Sequence, residues 1–402
     1  MAEIGKEFLK RGWEVLSLGE GKYDYLLKDG MEHIRLDEDS SWYTEERIEK
    51  LMDMDRWGND YCSEDELESL VAAEERLFDN VSPDLVMTGY RTTLSISCRA
   101  WGVPLIWVLS AVVSPLYYRY GLATMPERVP VRFVESIKDS RLQKEYYCRL
   151  AMKNKESSRV WNKVAKKRGA PQFRCDTELF RGDFNIMSDA PELFPEFNEL
   201  PDDYRFCGPL LNHERIPWPD WKKDMENTKR RKILVTMGSS GEREIFLSVL
   251  RSLRTLNAEI FVSRASIASE DIEKEFPDNF HFAEKLPHLE AARLADLSII
   301  HGGQGTVYTT ALSGKPFIGI PMFSEQQYNL ENILRFGSGE YVSAAGFKEE
   351  NLIAKAETIF SDNAYYRKAK RLRELLEPYT DGRKPHPEEK AFEEIETYFY
   401  HG

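Results

Sequence analysis

The sequence predicts an α/β protein with two doubly wound, Rossmann-like domains that face each other across a cleft. A chain of 402 residues is too long for one ordinary hydrophobic core and long enough for two. From Lys232 onward, short apolar runs alternate with amphipathic segments, a pattern typical of βαβ units and a parallel sheet. The N-terminal half repeats this alternation less clearly, which indicates a second domain of the same kind.

The predicted elements are short strands rich in β-branched residues and longer amphipathic helices. In the C-terminal half we expect strands at 233–237, 259–262, 281–283, 297–300 and 317–320, with helices at 242–254 and 326–336. In the N-terminal half, strands at 85–88 and 105–109 flank a helix at 92–101. The prolines of segment 208–219 forbid a continuous helix and suit a connection between domains. We therefore predict an N-terminal domain at 1–208, a linker at 209–231, a C-terminal domain at 232–380, and a final helix within 381–402 that packs back on the first domain.

The first residues predict a helix before any strand. Ile4 and Phe8 fall on one helical face, Gly12 suits a C-terminal cap, and residues 13–18 follow as a strand. A doubly wound sheet needs a strand before its first crossover helix. We therefore expect the first strand and its loop to precede the start of this sequence.

Composition and charge exclude several classes of protein. The net charge of −13 disfavours a nucleic-acid partner, and no run approaches the roughly 20 apolar residues of a membrane-spanning helix. The five cysteines form no C-x-x-C pair, His33 and His213 lack metal-ligand spacing to them, and no signal core opens the sequence, so we expect reduced thiols in a cytoplasmic protein. Peripheral association with the inner membrane face stays open, although the acidic net charge gives no support to attraction by anionic lipids. The sequence does not predict an oligomeric state.

A glycine-rich turn after the apolar run at 297–300 predicts an anion site. The turn reads His301-Gly302-Gly303-Gln304-Gly305-Thr306 and leads into a helix. Glycines let the backbone approach a diphosphate, and the free amides and dipole of a helix N-terminus favour its negative charge. We expect Thr306 to cap the helix and offer its hydroxyl to a phosphate, and His301 to donate to a phosphate oxygen of the leaving group. Taken alone, the turn is equally compatible with a tight structural connection.

A second loop is expected at the same sheet edge, after the run at 317–320. Here Phe323-Ser324-Glu325-Gln326 opens the next helix. A carboxylate and a carboxamide together can hold vicinal sugar hydroxyls, so Glu325 and Gln326 are candidate sugar ligands. Taken alone, Glu325 is also explained as a solvated residue of a first helical turn.

Together these segments resemble the donor-site signature of UDP-glycosyltransferases, in the macrolide and natural-product branch of the GT-B superfamily. The pattern is His-Gly-Gly-x-Gly-Thr, then Gly-x-Pro, then Pro-x-Phe-x-Glu-Gln-x-x-Asn, and the resemblance covers residues 232–342. It implies that the diphosphate is bound by His301, Gly302, Gly303, Gly305 and Thr306, with Gly238 and Ser239 on the opposite wall. It also implies that Glu325 and Gln326 bind the donor sugar, and segment 286–289 resembles the loop that faces the base.

Two departures from the family pattern limit what the resemblance implies. Many members carry a glutamate for the ribose hydroxyls eight residues after the histidine, and Thr309 stands there, so ribose recognition and the identity of the base stay open. Members usually carry a Gly-x-Gly-His loop after the first strand, whose histidine is the general base, and no such loop is present. No catalytic base is therefore assigned. His33 is better explained as a partly buried structural histidine, and Asp84 as a turn residue.

The acceptor side is indicated by polar residues after the N-terminal strands. Tyr90, Arg91 and Ser110 follow strands at 85–88 and 105–109 and so lie at a ligand-binding edge. The aromatic stretch 103–122 is explained by default as core. The alternative is a hydrophobic acceptor, lipid-linked or polycyclic, that rests on Trp107, Tyr117, Tyr118 and Tyr120.

These interpretations lead to one predicted activity and two alternatives. We predict inverting transfer of a sugar from a nucleotide diphosphate sugar, which acts as co-substrate, to a hydroxyl of a small-molecule or lipid-linked acceptor, without a metal or cofactor. Inversion and metal independence follow from the resemblance. The alternatives are a nucleotide-sugar epimerase of the same fold and a partner subunit that binds the donor without catalysis.

Overall fold

The structure is a computed structural model that describes residues 1–19, 30–34, 36, 62–128, 131–211, 215–238, 242–265 and 267–400. The chain divides into two compact units. The first consists of Met1–Met125, Val131–Leu210 and Pro385–Gly402, and the second of Pro126–Pro130 and Leu211–Lys384. The last helix thus belongs to the first unit, and a five-residue segment from the N-terminal half belongs to the second.

The first unit is built on a parallel sheet. Its four strands run in the order β3-β4-β5-β6, with β3 at Val86–Thr88, β4 at Leu105–Leu109, β5 at Phe184–Met187 and β6 at Tyr204–Phe206. Two further strands, β1 at Leu16–Leu18 and β2 at Glu32–Ile34, form a separate parallel pair. Its helices are α1 Ala2–Lys10, α2 Glu64–Val81, α3 Leu94–Trp101, α4 Pro115–Arg119, α5 Arg132–Glu135, α6 Ser140–Ala151, α7 Glu156–Lys167 and the C-terminal Pro387–Tyr400.

Local sequence explains how the helices of the first unit begin and pack. Helix α2 opens with a capping box, because the Ser63 hydroxyl accepts from the Glu66 backbone N–H and the Glu66 carboxylate accepts from the Ser63 N–H. The C-terminal helix Pro387–Tyr400 packs on α1, and the rings of Phe8 and Phe392 meet edge to face at 4.7 Å.

The second unit is built on a six-stranded parallel sheet in the order β12-β11-β10-β7-β8-β9. The strands are β7 Arg231–Thr236, β8 Ala258–Ser263, β9 Phe280–Ala283, β10 Leu297–Ile300, β11 Phe317–Gly319 and β12 Gly339–Tyr341. The helices are α8 Lys222–Asn227, α9 Arg243–Leu253, α10 His288–Leu294, α11 Gln304–Ser313, α12 Ser324–Leu334, α13 Glu349–Ser361 and α14 Asn363–Leu376. The C-terminal helix Pro387–Tyr400, which belongs to the first unit, is α15. The four central strands, β7, β8, β10 and β11, are mostly buried, as is typical of parallel sheets that are covered on both faces.

The sequence pattern located most of these elements. All five strands predicted for the C-terminal half are present, and the two helices begin and end within two residues of the predicted positions. Strands β2, β5, β6 and β12 were not predicted, because each is short and contains polar residues or glycine. All five cysteines are free and buried, and burial raises the pKa of the Cys207 thiol to about 12. Within the described residues, no helix is long and apolar enough to cross a membrane.

Candidate functional site

The candidate site lies where the second sheet reverses its strand order. From β7 the chain builds outward through β8 and β9, then returns to the other side of β7 to add β10, β11 and β12. Strands β7, β10 and β11 are paired in register, with Ile300 opposite both Thr236 and Gly319. Their carboxyl ends therefore meet at one edge. Ligands of open α/β sheets bind at such a switch point.

The glycine-rich turn joins β10 to α11 at this edge. Gly302 has a φ of +97°, and a Cβ there would come within 2.6 Å of the Gln326 carbonyl oxygen, so only glycine fits. Helix α11 begins at Gln304 with Gly303 as its N-cap, without a side-chain cap and without an acidic residue in its first turn. The first amide groups of α11 therefore lack intrahelical partners and favour an anion. The prediction that Thr306 caps this helix was wrong, because Thr306 lies inside the first turn.

The His301 imidazole lies between two glycines. The side chain is 5% exposed, and Cβ atoms built on Gly238 and Gly303 would come within 2.6 and 2.5 Å of its Nε2. Burial lowers the pKa of His301 to about 4, a shift that the Thr236 backbone opposes and that His288 increases slightly. His301 is therefore a neutral imidazole at neutral pH, with one N–H to donate. Ser239, predicted to lie beside Gly238, falls outside the described residues.

The loop after β11 is held by the start of α12. Gln326 is 1% exposed, and its Oε1 accepts a hydrogen bond of 2.8 Å from the Met322 backbone N–H. This side chain thus shapes the loop, whereas Glu325 is half-exposed at the helix start. Asn329 donates to the Gly302 carbonyl at 3.1 Å and to the Glu325 carboxylate at 3.3 Å. Asn329 therefore ties the predicted sugar loop to the glycine-rich turn.

A segment distant in sequence completes the second unit at this edge. Arg128 donates to the Met322 carbonyl at 3.2 Å and forms an ion pair with Glu242, the N-cap of α9. The backbone N–H of Glu127 donates to Gln327 Oε1 at 3.1 Å. Sequence analysis assigned no role to Asn329, although it is the last residue of the family pattern, and did not identify Arg128. An amide four residues after Glu325 on a helix was a usable signal for Asn329, whereas nothing local marks Arg128.

Thr309 lies where the family pattern has a ribose-binding glutamate. Its hydroxyl bonds to two carbonyls of its own helix, those of Gly305 at 2.9 Å and Thr306 at 3.1 Å. This is the local bonding that threonine commonly makes within helices. These bonds do not support a direct contact between Thr309 and a ribose.

The acceptor-side candidates lie at the carboxyl edge of the first sheet. Tyr90 is 39% exposed after β3. Arg91 is mostly buried, and its Nε donates at 2.5 Å to Glu74, a carboxylate that is 1% exposed. Ser110 donates at 3.2 Å to Asp189, a buried carboxylate after β5 that sequence analysis did not identify. Arg91 and Ser110 thus have partners within the unit, and Tyr90 offers the most exposed side chain of the three.

The aromatic stretch after β3 is mostly core. Trp107 and Tyr117 are 1% and 2% exposed, so the alternative that they support a hydrophobic acceptor was wrong for these two residues. The Tyr120 hydroxyl donates to the Glu199 carbonyl. His33 is half-buried and bonds to the Ser17 hydroxyl at 2.9 Å, which agrees with a structural histidine. In the described part of the chain, no group of three or more His, Cys, Asp or Glu side chains could hold a metal ion.

Comparison with known proteins covers both units. Residues 247–394 match the family described as Erythromycin biosynthesis protein CIII-like, C-terminal domain. A PGL/p-HBAD biosynthesis glycosyltransferase of Mycobacterium tuberculosis is 29% identical over 322 residues, 78% of this chain and 71% of the relative. A PGL/p-HBAD biosynthesis rhamnosyltransferase of Mycobacterium bovis is 28% identical over 313 residues, 76% of this chain and 66% of the relative. The solved structure of the glycotransferase of kitacinnamycin has a TM-score of 0.67 and 18% identity, and the match covers 98% of this chain and 94% of that one.

The fold and the place of the turn define an architectural class. Each unit has a parallel sheet, and the second carries a glycine-rich turn at its switch point, where ligands of open α/β sheets bind. The two mycobacterial relatives are a glycosyltransferase and a rhamnosyltransferase, and the solved structure is that of a glycotransferase. The chain has the GT-B fold, with parallel α/β sheets in two units.

Proposed function

We propose that this protein transfers a sugar from a nucleotide diphosphate sugar, with a uridine nucleotide as the expected carrier, to an acceptor hydroxyl. The observation that carries the proposal is the turn of His301, Gly302 and Gly303 at the switch point, followed by the uncapped N-terminus of α11. This arrangement offers several N–H donors to one diphosphate. The names of the two mycobacterial relatives, a glycosyltransferase and a rhamnosyltransferase, support sugar transfer.

In the proposed inverting displacement, the second unit stabilises the leaving diphosphate. The acceptor oxygen attacks the anomeric carbon, the bond from that carbon to the diphosphate oxygen breaks, and the electron pair leaves with the diphosphate. The amides of α11 and the N–H of neutral His301 stabilise this developing charge. Glu325 accepts from the sugar hydroxyls, and Gln326 and Asn329 fix the loop that carries it. The proton of the acceptor hydroxyl passes to a general base, and no described residue is assigned to that role.

Inversion and independence from metal ions belong to the proposal through the family resemblance. In such a mechanism, backbone amides take the part that a divalent cation plays elsewhere, since both stabilise the charge on a leaving diphosphate. Transfer in the presence of EDTA and the anomeric configuration of the product test the two points separately. Loss of transfer in EDTA, or retention of configuration, would refute the corresponding point.

We further propose a hydrophobic or lipid-linked acceptor and a cytoplasmic enzyme that associates with the inner membrane face. Tyr90, at the carboxyl edge of the first sheet, offers an exposed aromatic surface for such an acceptor. A Tyr90→Ser variant should raise the KM for a polycyclic acceptor more than the KM for the donor. An unchanged acceptor KM would remove Tyr90 from the acceptor site.

The first test is thermal unfolding with UDP, TDP, GDP or ADP. A ligand at about 100 times its Kd adds about 2.7 kcal/mol to the free energy of unfolding. Stabilisation by UDP or TDP should be lost in His301→Ala and kept in the control His281→Ala, a half-buried histidine on β9 paired with Glu259. No stabilisation by any nucleotide would contradict the donor site.

Product analysis then distinguishes the activities. Incubation with UDP-sugars and nucleotide-linked rhamnose, with and without acceptors, should give a glycosylated acceptor. Conversion of the donor without an acceptor would instead indicate an epimerase. Binding with neither transfer nor hydrolysis would indicate a catalytically inactive partner subunit.

A further inference from the structure

Helices α5 and α6 present three large apolar side chains to solvent. Phe133 is 65% exposed, Leu142 57% and Tyr146 44%. The rings of Phe133 and Tyr146 lie 5.5 Å apart, and Leu142 is one helical turn from Tyr146 on the same face of α6. The opposite sides of these helices are anchored, since Val134 and Cys148 are buried. The three side chains therefore form a continuous apolar surface on a packed support, which we call the α5–α6 face.

The α5–α6 face is surrounded by basic residues. Segment 132–155 contains seven Lys or Arg and three Asp or Glu, a local charge of +4 in a chain whose net charge is −13. Two of the three acidic residues are already engaged, because Asp139 caps α6 and Glu145 pairs with Arg149. Six basic side chains of the segment are exposed: Arg132, Lys138, Arg141, Arg149, Lys153 and Lys155.

The free cations of this face strengthen the pattern. Within the part of the chain that the structure describes, neither Lys138 nor Arg141 forms an ion pair, whereas Lys163 and Lys167 on α7 pair with carboxylates of α2. Arg141 is adjacent to the exposed Leu142, and Lys138 lies in the turn between Phe133 and Leu142. Exposed apolar side chains and basic side chains without an ion pair thus lie on the same surface.

We propose that the α5–α6 face docks the protein on a membrane that contains anionic lipids. Aromatic and aliphatic side chains of this kind insert at the level of the headgroups, while surrounding Lys and Arg bind lipid phosphates. A protein partner would also cover apolar side chains, but the excess of unpaired positive charge matches an anionic surface. The net charge of the whole chain is acidic and gives no support to attraction by anionic lipids, but segment 132–155 has a local charge of +4.

Docking by this face has a consequence that rests on the proposed function. Helix α4 directly follows the loop after β4, and α6 packs on α4. The face is therefore built on the elements next to the carboxyl edge of the first sheet, where the acceptor is proposed to bind. The head of a lipid-linked acceptor would then reach the carboxyl edge of the first sheet while its lipid stays in the membrane.

Vesicle sedimentation tests the proposal with the complete chain. We expect binding to vesicles in which half of the phosphatidylcholine is replaced by phosphatidylglycerol, weaker binding to phosphatidylcholine alone, and release at high salt. The double variant Phe133→Ser/Leu142→Ser should lose binding. Lys138→Glu and Arg141→Glu should each weaken it at least about fivefold, since one basic residue near an anionic surface strengthens binding by about that factor.

Matched controls distinguish docking by the α5–α6 face from non-specific binding to vesicles. Val81→Ser removes a side chain that is 43% exposed at the end of α2, and Lys274→Glu reverses a charge that is 81% exposed in the second unit. Both controls should bind vesicles like the wild type. Absence of wild-type binding, equal binding to the two lipid compositions, or equal losses in the controls would overturn the proposal. Dimerisation that the double variant abolishes, without vesicle binding, would assign the face to a second copy instead.

Activity on a water-soluble acceptor separates this proposal from the proposed function. The double variant should keep that activity and lose transfer to an acceptor embedded in anionic vesicles. A wild type that binds vesicles but transfers no sugar would leave the docking face standing and refute the transferase. A wild-type protein that transfers sugar but does not bind vesicles would refute the docking face and leave the transferase standing.

Discussion

The imidazole of His301 lies so close to Gly238 that a Cβ at position 238 would come within 2.6 Å of both its Cε1 and its Nε2. The two residues end neighbouring strands, since His301 follows β10 and Gly238 follows β7 by two positions. The loop after β7 thus forms one wall against which the histidine is held. The position of the imidazole at the predicted diphosphate site therefore depends on a glycine in a different loop.

Replacing Gly238 should displace His301 and remove nucleotide binding. Gly238 has a φ of +65°, so Gly238→Ala adds backbone strain of about 1–2 kcal/mol to the steric clash. Gly382→Ala is a matched control, because Gly382 has a φ of +79° in the same unit but no atom within 4 Å of the added Cβ. Isothermal titration with UDP should show lost binding only in Gly238→Ala. Equal affinity in the two variants would show that the contact with His301 does not matter.

His301 should make the protein less stable in acid. Its folded-state pKa of about 4 lies below the unfolded value of 6.5, so its contribution is fully present above pH 6.5 and is lost as pH falls towards 4. The shift corresponds to about 3 kcal/mol. Unfolding by urea at several pH values should show a smaller acid loss in His301→Gln than in the wild type. His288→Gln is measured in parallel, because burial lowers the pKa of His288 as well. If the free energy of unfolding of His301→Gln falls with pH as steeply as that of the wild type, His301 is not the source of the acid loss.

The sequence predicted five of the six strands of the second sheet, because each of the five is marked by a local apolar run. Strand β10 and the turn at 301–303 are recognised from an apolar run followed by glycines, and each residue's conformation follows from its neighbours. The role of Gln326 was less accessible. Its motif position suggested a sugar ligand, whereas its burial and its bond to Met322 depend on how tightly α12 approaches Gly302.

Contacts between distant segments could not be predicted from the sequence. Arg128 reaches Met322 across 194 positions, and Ser110 reaches Asp189 across 79. Neither pair has a periodic or motif signal, since both depend on the completed fold. The same limit applies to Arg91, whose position after a strand suggested an acceptor contact while its partner Glu74 lies on a preceding helix.

Removing the Arg91 guanidinium should destabilise the first unit. Glu74 is 1% exposed and accepts hydrogen bonds from Arg91, Thr93 and Ser97. Arg91→Ala leaves this buried carboxylate without its cation, at a cost of about 3–5 kcal/mol in the free energy of unfolding. The double variant Glu74→Gln/Arg91→Met removes both charges and should recover part of that loss. Urea denaturation checks both. An Arg91→Ala protein of wild-type stability and raised acceptor KM would instead support the acceptor role predicted from the sequence.

Arg128 should position the loop that is proposed to bind the donor sugar. The peptide units of Met322 are held from both sides, because the carbonyl accepts from Arg128 at 3.2 Å and the N–H donates to Gln326 at 2.8 Å. Losing a hydrogen bond from a charged donor costs about 1.5–3 kcal/mol locally, so Arg128→Ala should raise the KM for the nucleotide sugar roughly tenfold or more. Thermal stability should change little, since the Glu242 carboxylate that pairs with Arg128 is 44% exposed.

The split between donor and acceptor kinetics distinguishes positioning by Arg128 from a general structural effect. Steady-state measurements on Arg128→Ala should show a raised donor KM and an unchanged acceptor KM. Arg128→Lys keeps the charge but not the planar fork that reaches both Met322 and Glu242, so its donor KM should be intermediate. Arg383→Ala, which removes two exposed ion pairs of the same unit, those with Asp381 and Glu377, should behave like the wild type. Donor and acceptor KM values that rise together, with a lowered melting temperature, would mean that Arg128 supports the second unit as a whole rather than the sugar loop.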